Sequence, residues 1–206
     1  PSPEIARITL NRPDAGNSLS SSLVRDTIAA ASVVRCDAGT KVLLVTGEGR
    51  FFCAGADLKE NPRPANWIWE LRRSLDMLED LPQPVIAVIN GSCMGGGTEL
   101  ALACDFRLVG STVRLGLPEI QFGALPAAGG PQRLSRLIGP AKAKRLIMMG
   151  DHITAAKALE LGLVDEVVKG DLMAAAVEFA EKLALRAGYG LKTTKLVINQ
   201  GQGMGL

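Results

Sequence analysis

Short apolar runs that are rich in β-branched residues recur along the first half of the chain and are typical of buried strands. The clearest of these runs are Ile5–Leu10, Val42–Val45 and Val85–Ile89. Segments with apolar residues at helical spacing separate them, first from Leu19 onward and again over Trp67–Leu81. Because strands and helices alternate, the pattern predicts parallel βαβ units with right-handed crossovers.

The second half of the chain changes to a largely helical pattern. Helices are predicted over Pro140–Met149 and Thr154–Leu161, each followed by a glycine that ends the apolar repeat. A short apolar strand is predicted at Leu163–Val168. A long helix is predicted over Asp171–Ala187, with its first residue as the cap and Gly188 as its end. The whole pattern predicts an α/β protein with a sheet-rich first part and a helical C-terminal region.

The composition favours one domain with a minor appendage. The chain has 206 residues, of which 47% are hydrophobic, and this is enough for one sizeable core. Its Lys and Arg are scattered among acidic residues and the net charge is only +2, so we expect no nucleic-acid partner. The chain has no apolar run long enough to span a membrane, so we expect no membrane partner.

The few cysteines and the single histidine exclude several kinds of catalytic site. The four cysteines lack the spacing of metal ligands, and we interpret them as reduced thiols of an intracellular protein. Cys53 and Cys104 are expected to pack in the core, because no histidine accompanies them as an activating base. His152 is expected on the surface, in a turn between helices, and a zinc site with several histidines is impossible. Acid–base chemistry therefore falls to carboxylates.

The strongest chemical signal is the segment from Asn90 to Ala103, which follows the third predicted strand. Glycines at positions 95–97 lead into helix-forming residues, and Glu99 lies in the first helical turn. Two interpretations are open: a tight joint between strand and helix, or a ligand site where bare N–H groups and a carboxylate handle negative charge and protons. The apolar residues that follow Glu99 favour the second, because desolvation there raises the pKa of a carboxyl.

A second carboxylate, that of Glu119, follows in the segment Leu117–Glu119. A glutamate after a proline is by itself more typical of a surface. The surrounding segment, however, is dense in glycine and proline, at Gly116, Pro118, Gly123, Pro126, Gly129 and Gly130. Two carboxyls in such surroundings can divide base and acid roles if their pKa values are driven apart. We therefore predict that Glu99 and Glu119 carry the chemistry.

Four blocks of the sequence resemble the crotonase superfamily, the enoyl-CoA hydratase/isomerase group, and together they cover essentially the whole chain. The blocks are residues 8–13 (ITLNRP), 52–60 (FCAGADLKE), 90–105 (NGSCMGGGTELALACD) and 118–139. The resemblance implies a spiral of β-β-α turns over residues 1–150 that contains an acyl-CoA site, followed by a helical C-terminal region over residues 151–206. It also implies assembly as a homotrimer or a dimer of trimers.

The resemblance further implies the residues of the acyl-CoA site. Two backbone N–H groups that form an oxyanion hole for the thioester oxygen map to Ala56 and Gly96. Two acids that hold and split water map to Glu99 and Glu119. The residues implied to line the path of coenzyme A or to hold the catalytic water are Cys53, Ala54, Asp57, Leu58, Lys59 and Ala127.

The chain departs from the family pattern at three places. Family members start before Pro1 and continue beyond Leu206, so the chain is expected to be a trimmed part of a longer protein. The passage over residues 59–64 is shorter than is usual. Ala127 stands where the family has glycine, and Pro131 stands where it has threonine, so we expect a reshaped acyl pocket.

We therefore expect an enoyl-CoA hydratase, which adds water in syn fashion to a 2-trans-enoyl-CoA and forms a 3-hydroxyacyl-CoA. No metal or redox cofactor is expected, because the substrate itself carries coenzyme A. Double-bond isomerisation, dehydration of a specialised acyl-CoA, and non-catalytic binding of acyl-CoA or RNA are the alternatives. Retention of both acids favours hydration, since isomerisation can proceed with one. The expected location is the cytoplasm or the mitochondrial matrix.

Overall fold

The computed structural model describes residues 4–201, which form two β-sheets surrounded by helices. The strands are β1 (Ile5–Leu10), β2 (Val42–Gly47), β3 (Phe51–Cys53), β4 (Val85–Ile89), β5 (Ser92–Met94), β6 (Phe106–Gly110), β7 (Arg114–Gly116), β8 (Ile153–Thr154) and β9 (Glu166–Val168). The α-helices are α1 (Ser21–Cys36), α2 (Trp67–Glu79), α3 (Gly96–Leu102), α4 (Gly130–Ile138), α5 (Pro140–Met149), α6 (Ala155–Leu161), α7 (Leu172–Ala184) and α8 (Gly188–Gly201). Short 3-10 helices lie at Pro13–Ala15 and Pro118–Phe122.

The larger sheet is parallel throughout, with the strand order β1-β2-β4-β6-β9. The parallel units predicted from alternating strands and helices are therefore confirmed. Every residue of β2 and β4 is buried, as expected for strands of a parallel sheet with both faces covered. This is why their sequences are continuous apolar runs and show no alternation.

A smaller sheet has the order β3-β5-β7-β8, and the apolar pattern did not predict it. Its strands have two or three residues each, which is too short for a periodic pattern. The chain steps from the larger to the smaller sheet three times, from β2 to β3, from β4 to β5 and from β6 to β7. A helix follows the first two of these steps. This is the β-β-α spiral that the family resemblance implies.

The larger sheet separates two hydrophobic cores. Leu43 belongs to the main core, while the next residue, Leu44, belongs to a second cluster, because successive strand residues face opposite sides. Helix α7 covers the second cluster. It does so with small buried residues spaced four apart, Ala176, Ala180 and Ala184.

Helix α7 begins as predicted but ends earlier. The Asp171 carboxylate caps it by accepting a hydrogen bond from the Ala174 N–H at 2.9 Å. The helix ends at Ala184 rather than Ala187, and Gly188 begins α8 instead of ending α7. The prediction was wrong because Gly188 lacks the positive φ angle with which a glycine closes a helix.

The connection between α5 and α6 contains a strand that the pattern did not predict. His152 is exposed, as expected, but β8 follows it directly and pairs antiparallel with β7. The strand predicted at Leu163–Val168 is restricted to β9, because the Leu163 N–H bonds to the Ala158 carbonyl at 2.8 Å and closes α6. None of the helices between residues 4 and 201 combines the length and the apolar character that crossing a membrane requires.

Candidate active site

The three consecutive glycines place the start of α3 against the end of β3. A Cβ atom built on Gly97 would lie 2.3 Å from the Cys53 carbonyl oxygen, so only glycine fits there. Gly95 turns the chain between β5 and α3 with a φ angle of +53°. The segment is therefore a tight joint, and the joint brings the first amides of α3 up to the loop that follows β3.

In that loop, the Ala56 N–H points away from the chain segment beside it. Leu19 donates its N–H to the Gly55 carbonyl at 2.7 Å and accepts the Asp57 N–H at 3.2 Å. In a parallel bridge of this kind, the residue between the two partners directs its own N–H to the opposite side. The Ala56 N–H is therefore not used by the bridge.

The Ala56 and Gly96 amides lie side by side. A Cβ built on Gly96 would lie 3.7 Å from the Ala56 nitrogen, and one built on Gly55 would lie 3.4 Å from the Gly96 nitrogen. Within residues 4–201, neither N–H has a hydrogen-bond acceptor. Gly96 is the first residue of α3, where helical amides lack an intrahelical partner. Both donors are thus available for an oxygen atom of a ligand.

The Glu99 carboxyl is buried next to these amides, with only 2% of the residue exposed. Its Oε1 accepts hydrogen bonds from the Ala128 N–H at 2.9 Å and from the Gly130 N–H at 2.7 Å. Burial raises the pKa of Glu99 to about 7; the Glu119 charge raises it too, whereas the two N–H groups and Arg133 lower it. The apolar residues that follow Glu99 predicted this direction.

The Glu119 carboxyl reaches the same place from the 3-10 helix at Pro118–Phe122. Its Oε1 lies 3.0 Å from the position of a Cβ built on Gly95, directly at the turn before α3. Its Oε2 is buried and has no hydrogen-bond partner within residues 4–201. Burial raises the pKa of this carboxyl as well. Glu119 is therefore not an ordinary surface glutamate.

Two free amide donors and two carboxyls with raised pKa values thus meet where β3, β5 and α3 come together. The amides can stabilise negative charge that develops on an oxygen atom. Burial makes each carboxyl favour its protonated form more than a solvated glutamate does, and Glu99, with a pKa of about 7, can take up and release protons near neutral pH. The arrangement suits proton transfer next to a developing oxyanion.

Comparison with known proteins identifies the family that this sequence matches. The sequence model described as "Enoyl-CoA hydratase/isomerase" matches residues 2–202. The chain belongs to this family. Its two sheets, its spiral order and its helical C-terminal region are those of the crotonase superfamily, to which the enoyl-CoA hydratases belong.

Similar enoyl-CoA hydratase/isomerase sequences and structures come from several bacteria. The chain is 43% identical over 204 residues to the putative enoyl-CoA hydratase/isomerase YngF of Bacillus subtilis, which covers 96% of this chain and 78% of that protein. It is 38% identical over 209 residues to the short-chain-enoyl-CoA hydratase of Clostridium acetobutylicum, and the match covers 96% of this chain and 78% of that protein. The crystal structure of an enoyl-CoA hydratase from Bacillus anthracis superposes with a TM-score of 0.96 at 42% identity. The superposition covers 99% of this chain and 82% of that chain.

The family resemblance assigns six residues to the coenzyme A path or the catalytic water. Some of them lie in the core and others on the surface. Cys53 is fully buried in β3, and burial raises the pKa of its thiol to about 12, so it packs as predicted. Cys104 is likewise buried, with its pKa raised to about 12. The residues exposed around the two amides are Ala54, Leu58 and Lys59.

Asp57 differs from its exposed neighbours, because it is buried in an ion pair with Arg12 at 2.9 Å. Burial by itself would raise the pKa of Asp57, but the Arg12 hydrogen bond and charge and the Lys59 N–H lower it overall. Since Asp57 directly follows Ala56, this pair holds the peptide chain at the first free amide. Asp57 therefore supports the shape of the loop.

Ala127 is exposed, whereas the next residue along the chain binds Glu99. The amides that hold the Glu99 carboxyl are those of Ala128 and Gly130, and sequence reasoning did not single them out. The available signal is the pair Gly129–Gly130 within the segment that is dense in glycine and proline. Gly130 is the first residue of α4, so its N–H lacks an intrahelical partner and is free to bind a carboxylate.

A cavity of about 1080 Å³ opens elsewhere, between α3, α4, α7 and α8. Among the residues that line it are Leu102, Arg136, Leu183 and Leu191. Neither the two free amides nor the two carboxyls belong to its lining. This cavity is therefore separate from the two free amides and the two carboxyls.

The substitution Glu119→Gln should lower the pKa of Glu99 from about 7, because the negative charge of Glu119 contributes to raising it. Burial is the larger cause and remains, so the pKa should stay above the ordinary value of 4.5. A 13C NMR titration of the labelled carboxyl groups measures this change. The exposed Glu48→Gln serves as the control. An unchanged pKa in Glu119→Gln would mean that the two carboxyls do not interact.

Proposed function

We propose that this chain catalyses the reversible syn addition of water to a 2-trans-enoyl-CoA, which gives a 3-hydroxyacyl-CoA. The observation that carries the proposal is the meeting, at the start of α3, of the buried Glu99 carboxyl and the partly buried Glu119 carboxyl with two amide donors that have no acceptor within residues 4–201. Hydration of a conjugated thioester needs both parts, since charge develops on the thioester oxygen while two protons move. Relatives that are named as hydratases support the same reaction.

The amides of Ala56 and Gly96 bind the thioester oxygen in this proposal. Attack on the double bond turns the thioester into an enolate, so negative charge grows on that oxygen in the transition state. The two donors, fixed in the loop that follows β3 and at the start of α3, can hydrogen-bond this oxygen without having to reorganise. The loss of one donor costs roughly 3–4 kcal/mol in comparable sites. The glycine at position 96 leaves room for the carbonyl group to approach.

The carboxyls of Glu99 and Glu119 move the protons. One of them, ionised, takes a proton from water, and the water oxygen forms a bond to C3. The other, protonated, gives its proton to C2, so one water molecule is added across the double bond. The reactive form of the pair carries a single proton, and coupled carboxyls titrate as a pair. We therefore expect a bell-shaped pH dependence of kcat/KM.

We further propose that coenzyme A passes over the loop that carries Ala56. Ala54, Leu58 and Lys59 are exposed on this loop, and the Lys59 ammonium suits the phosphates of the nucleotide. The buried Cys53 and Asp57 support this loop from its core side. Ala127 directly precedes Ala128, which binds Glu99. Coenzyme A enters as part of the substrate, and this mechanism uses no separate metal or redox group.

A homotrimer or a dimer of trimers is our proposal for the assembly. Exposed apolar side chains lie on two adjacent segments, since a Cβ built on Gly150 would lie 2.9 Å from the Ile120 side chain. These apolar residues are Ile120, Phe122, Leu125, Met148 and Met149. Contiguous apolar surface of this kind is typical of contacts between subunits.

Double-bond isomerisation is the second candidate, because two relatives carry both activities in their names. Converting a 3-enoyl-CoA into a 2-enoyl-CoA requires the same two amides but only one proton-transferring group. The second carboxyl favours hydration, since its Oε2 is buried and has no hydrogen-bond partner among residues 4–201.

The experiment that tests the proposal is incubation of the chain with crotonyl-CoA in water labelled with 18O. We expect loss of the absorbance of the conjugated double bond and one 18O atom in the hydroxyl group of 3-hydroxybutyryl-CoA. Turnover of a 3-enoyl-CoA with no hydration of crotonyl-CoA would overturn the proposal in favour of isomerisation.

A further inference from the structure

A buried arginine, Arg133 of α4, joins three parts of the fold behind the candidate site. Its Nε and Nη2 donate hydrogen bonds to Glu79 Oε2 at 2.9 and 2.6 Å, and Nη2 also donates to Asp76 Oδ1 at 2.6 Å. Its Nη1 donates to the Ala128 carbonyl at 2.9 Å. Only 8% of the residue is exposed. Arg133 therefore fastens the loop before α4 to helix α2.

The residue that Arg133 holds is also a residue that holds Glu99. The Ala128 carbonyl accepts from Arg133, and the Ala128 N–H donates to Glu99 Oε1. The second donor to Glu99 is Gly130, the first residue of the helix that carries Arg133. Gly129, between the two donors, has a φ angle of +105°, and a Cβ built on it would lie 2.4 Å from Arg133 Nη1. The guanidinium thus occupies the space beside this loop.

We propose that Arg133 is a positioning residue for hydration: its guanidinium, fixed to Glu79 and Asp76, holds the Ala128 peptide, and that peptide orients the Glu99 carboxyl. The inference rests on the proposed function, since it assigns Arg133 a role in that reaction. Arg133 makes no contact with the two free amides, so it acts through Glu99 alone. A displaced carboxyl loses the alignment that proton transfer needs, and a misplacement of about 1 Å can cost 10²-fold in rate.

The charge of Arg133 gives a second effect on the same carboxyl. Among residues 4–201, the charged side chains that act on Glu99 are Glu119, from the 3-10 helix, and Arg133, from α4. The positive charge of Arg133 lowers the pKa of Glu99, against burial and against Glu119. Its partners Asp76 and Glu79 are partly exposed, so they keep contact with water if Arg133 is replaced.

The test compares Arg133→Lys and Arg133→Gln with Arg136→Gln, an exposed position on the same helix. Arg133→Lys keeps the charge and loses the fork, so we expect kcat to fall about 10-fold or more with little change in the pH profile. Arg133→Gln loses both, so we expect a similar fall together with an upward displacement of the pKa of Glu99. Neither variant should change KM, and Arg136→Gln should match the wild type.

The pKa of Glu99 is read from the pH profile of kcat/KM and from 13C NMR of labelled glutamate carboxyls. The NMR titration needs no turnover, so a wild type without hydratase activity would overturn the proposed function and leave the effect of Arg133 on Glu99 measurable. Wild-type kcat in both variants, or an unchanged pKa of Glu99 in Arg133→Gln, would overturn the inference. If Arg133→Gln does not fold, the kcat of Arg133→Lys decides.

Discussion

Replacing either carboxyl by its amide, Glu99→Gln or Glu119→Gln, should lower kcat for hydration at least 10²-fold, as expected for the loss of a general acid or base. Glutamine keeps the size of the side chain but can neither accept the proton of water nor deliver one to C2. The measurement is the initial rate with crotonyl-CoA at saturation. Glu48→Gln, at an exposed position far from these groups along the chain, is the matched control. Retention of wild-type kcat in either variant would exclude a two-carboxyl mechanism.

The same substitution Glu99→Gln should make the protein more stable at alkaline pH. The pKa of Glu99 is raised from its ordinary value of 4.5 to about 7 in the folded chain, so the native state favours the protonated form. This contribution to stability is fully present below pH 4.5 and is lost as the pH rises through 7. The difference between the two pKa values corresponds to roughly 3 kcal/mol. Glutamine has no proton to lose and still offers Oε1 to the two amides.

Urea unfolding at several pH values between 5 and 8.5 measures this second effect. The free energy of unfolding of Glu99→Gln, taken relative to the wild type, should rise with pH and level off above pH 8. A relative free energy that does not depend on pH would contradict the raised pKa of Glu99. Lost activity together with gained stability is the expected cost of keeping an ionisable group in a buried site.

Gly55→Ala should reduce kcat/KM about 10²- to 10³-fold, because it separates the two amide donors. Gly55 has a φ angle of +97°, and its new Cβ would lie 2.8 Å from the Met94 backbone carbonyl oxygen and 3.4 Å from the Gly96 nitrogen. The backbone must shift to relieve this contact, and the shift moves Ala56 away from Gly96. The magnitude is that of losing one donor of an oxyanion site.

The control for Gly55→Ala is Gly162→Ala at the end of α6. Gly162 has a similar φ angle of +81°, but no atom of the described part of the chain lies within 4 Å of its new Cβ. Both variants suffer the strain of a left-handed backbone, which destabilises the fold by about 1–2 kcal/mol. Only Gly55→Ala should lose activity per folded molecule, measured as kcat/KM at a temperature where both are folded. Equal activity of the two variants would show that the spacing of the two amides does not matter.

Features that depend on near neighbours along the chain were predictable. Ser20 caps α1 by accepting the Leu23 N–H, and Asp171 caps α7 in the same way, because a cap needs only its own first turn. The raised pKa of Glu99 followed from the apolar residues beside it. The strands β1, β2 and β4 followed from their apolar runs.

Features that depend on distant partners were not predictable from the apolar pattern. Glu99 is held by Ala128, 29 positions away, and Arg133 is paired with Asp76 at a separation of 57 positions. The resemblance indicated Ala56 and Gly96 as a pair, but nothing in their spacing indicates that their nitrogens lie side by side. The four short strands of the smaller sheet likewise exist only because their neighbours pair with them.

The sequence by itself thus determined the class of fold, the family, and the two glutamates as the groups to consider, because residue type and local spacing carry that information. The tertiary structure alone decided that Glu119 is partly buried against the turn at Gly95 and that the Ala56 and Gly96 amides lie side by side. It also decided that one arginine holds the Glu99-binding loop. These properties arise when the two sheets and α3 pack together, since the packing removes water and sets distances between groups far apart along the chain.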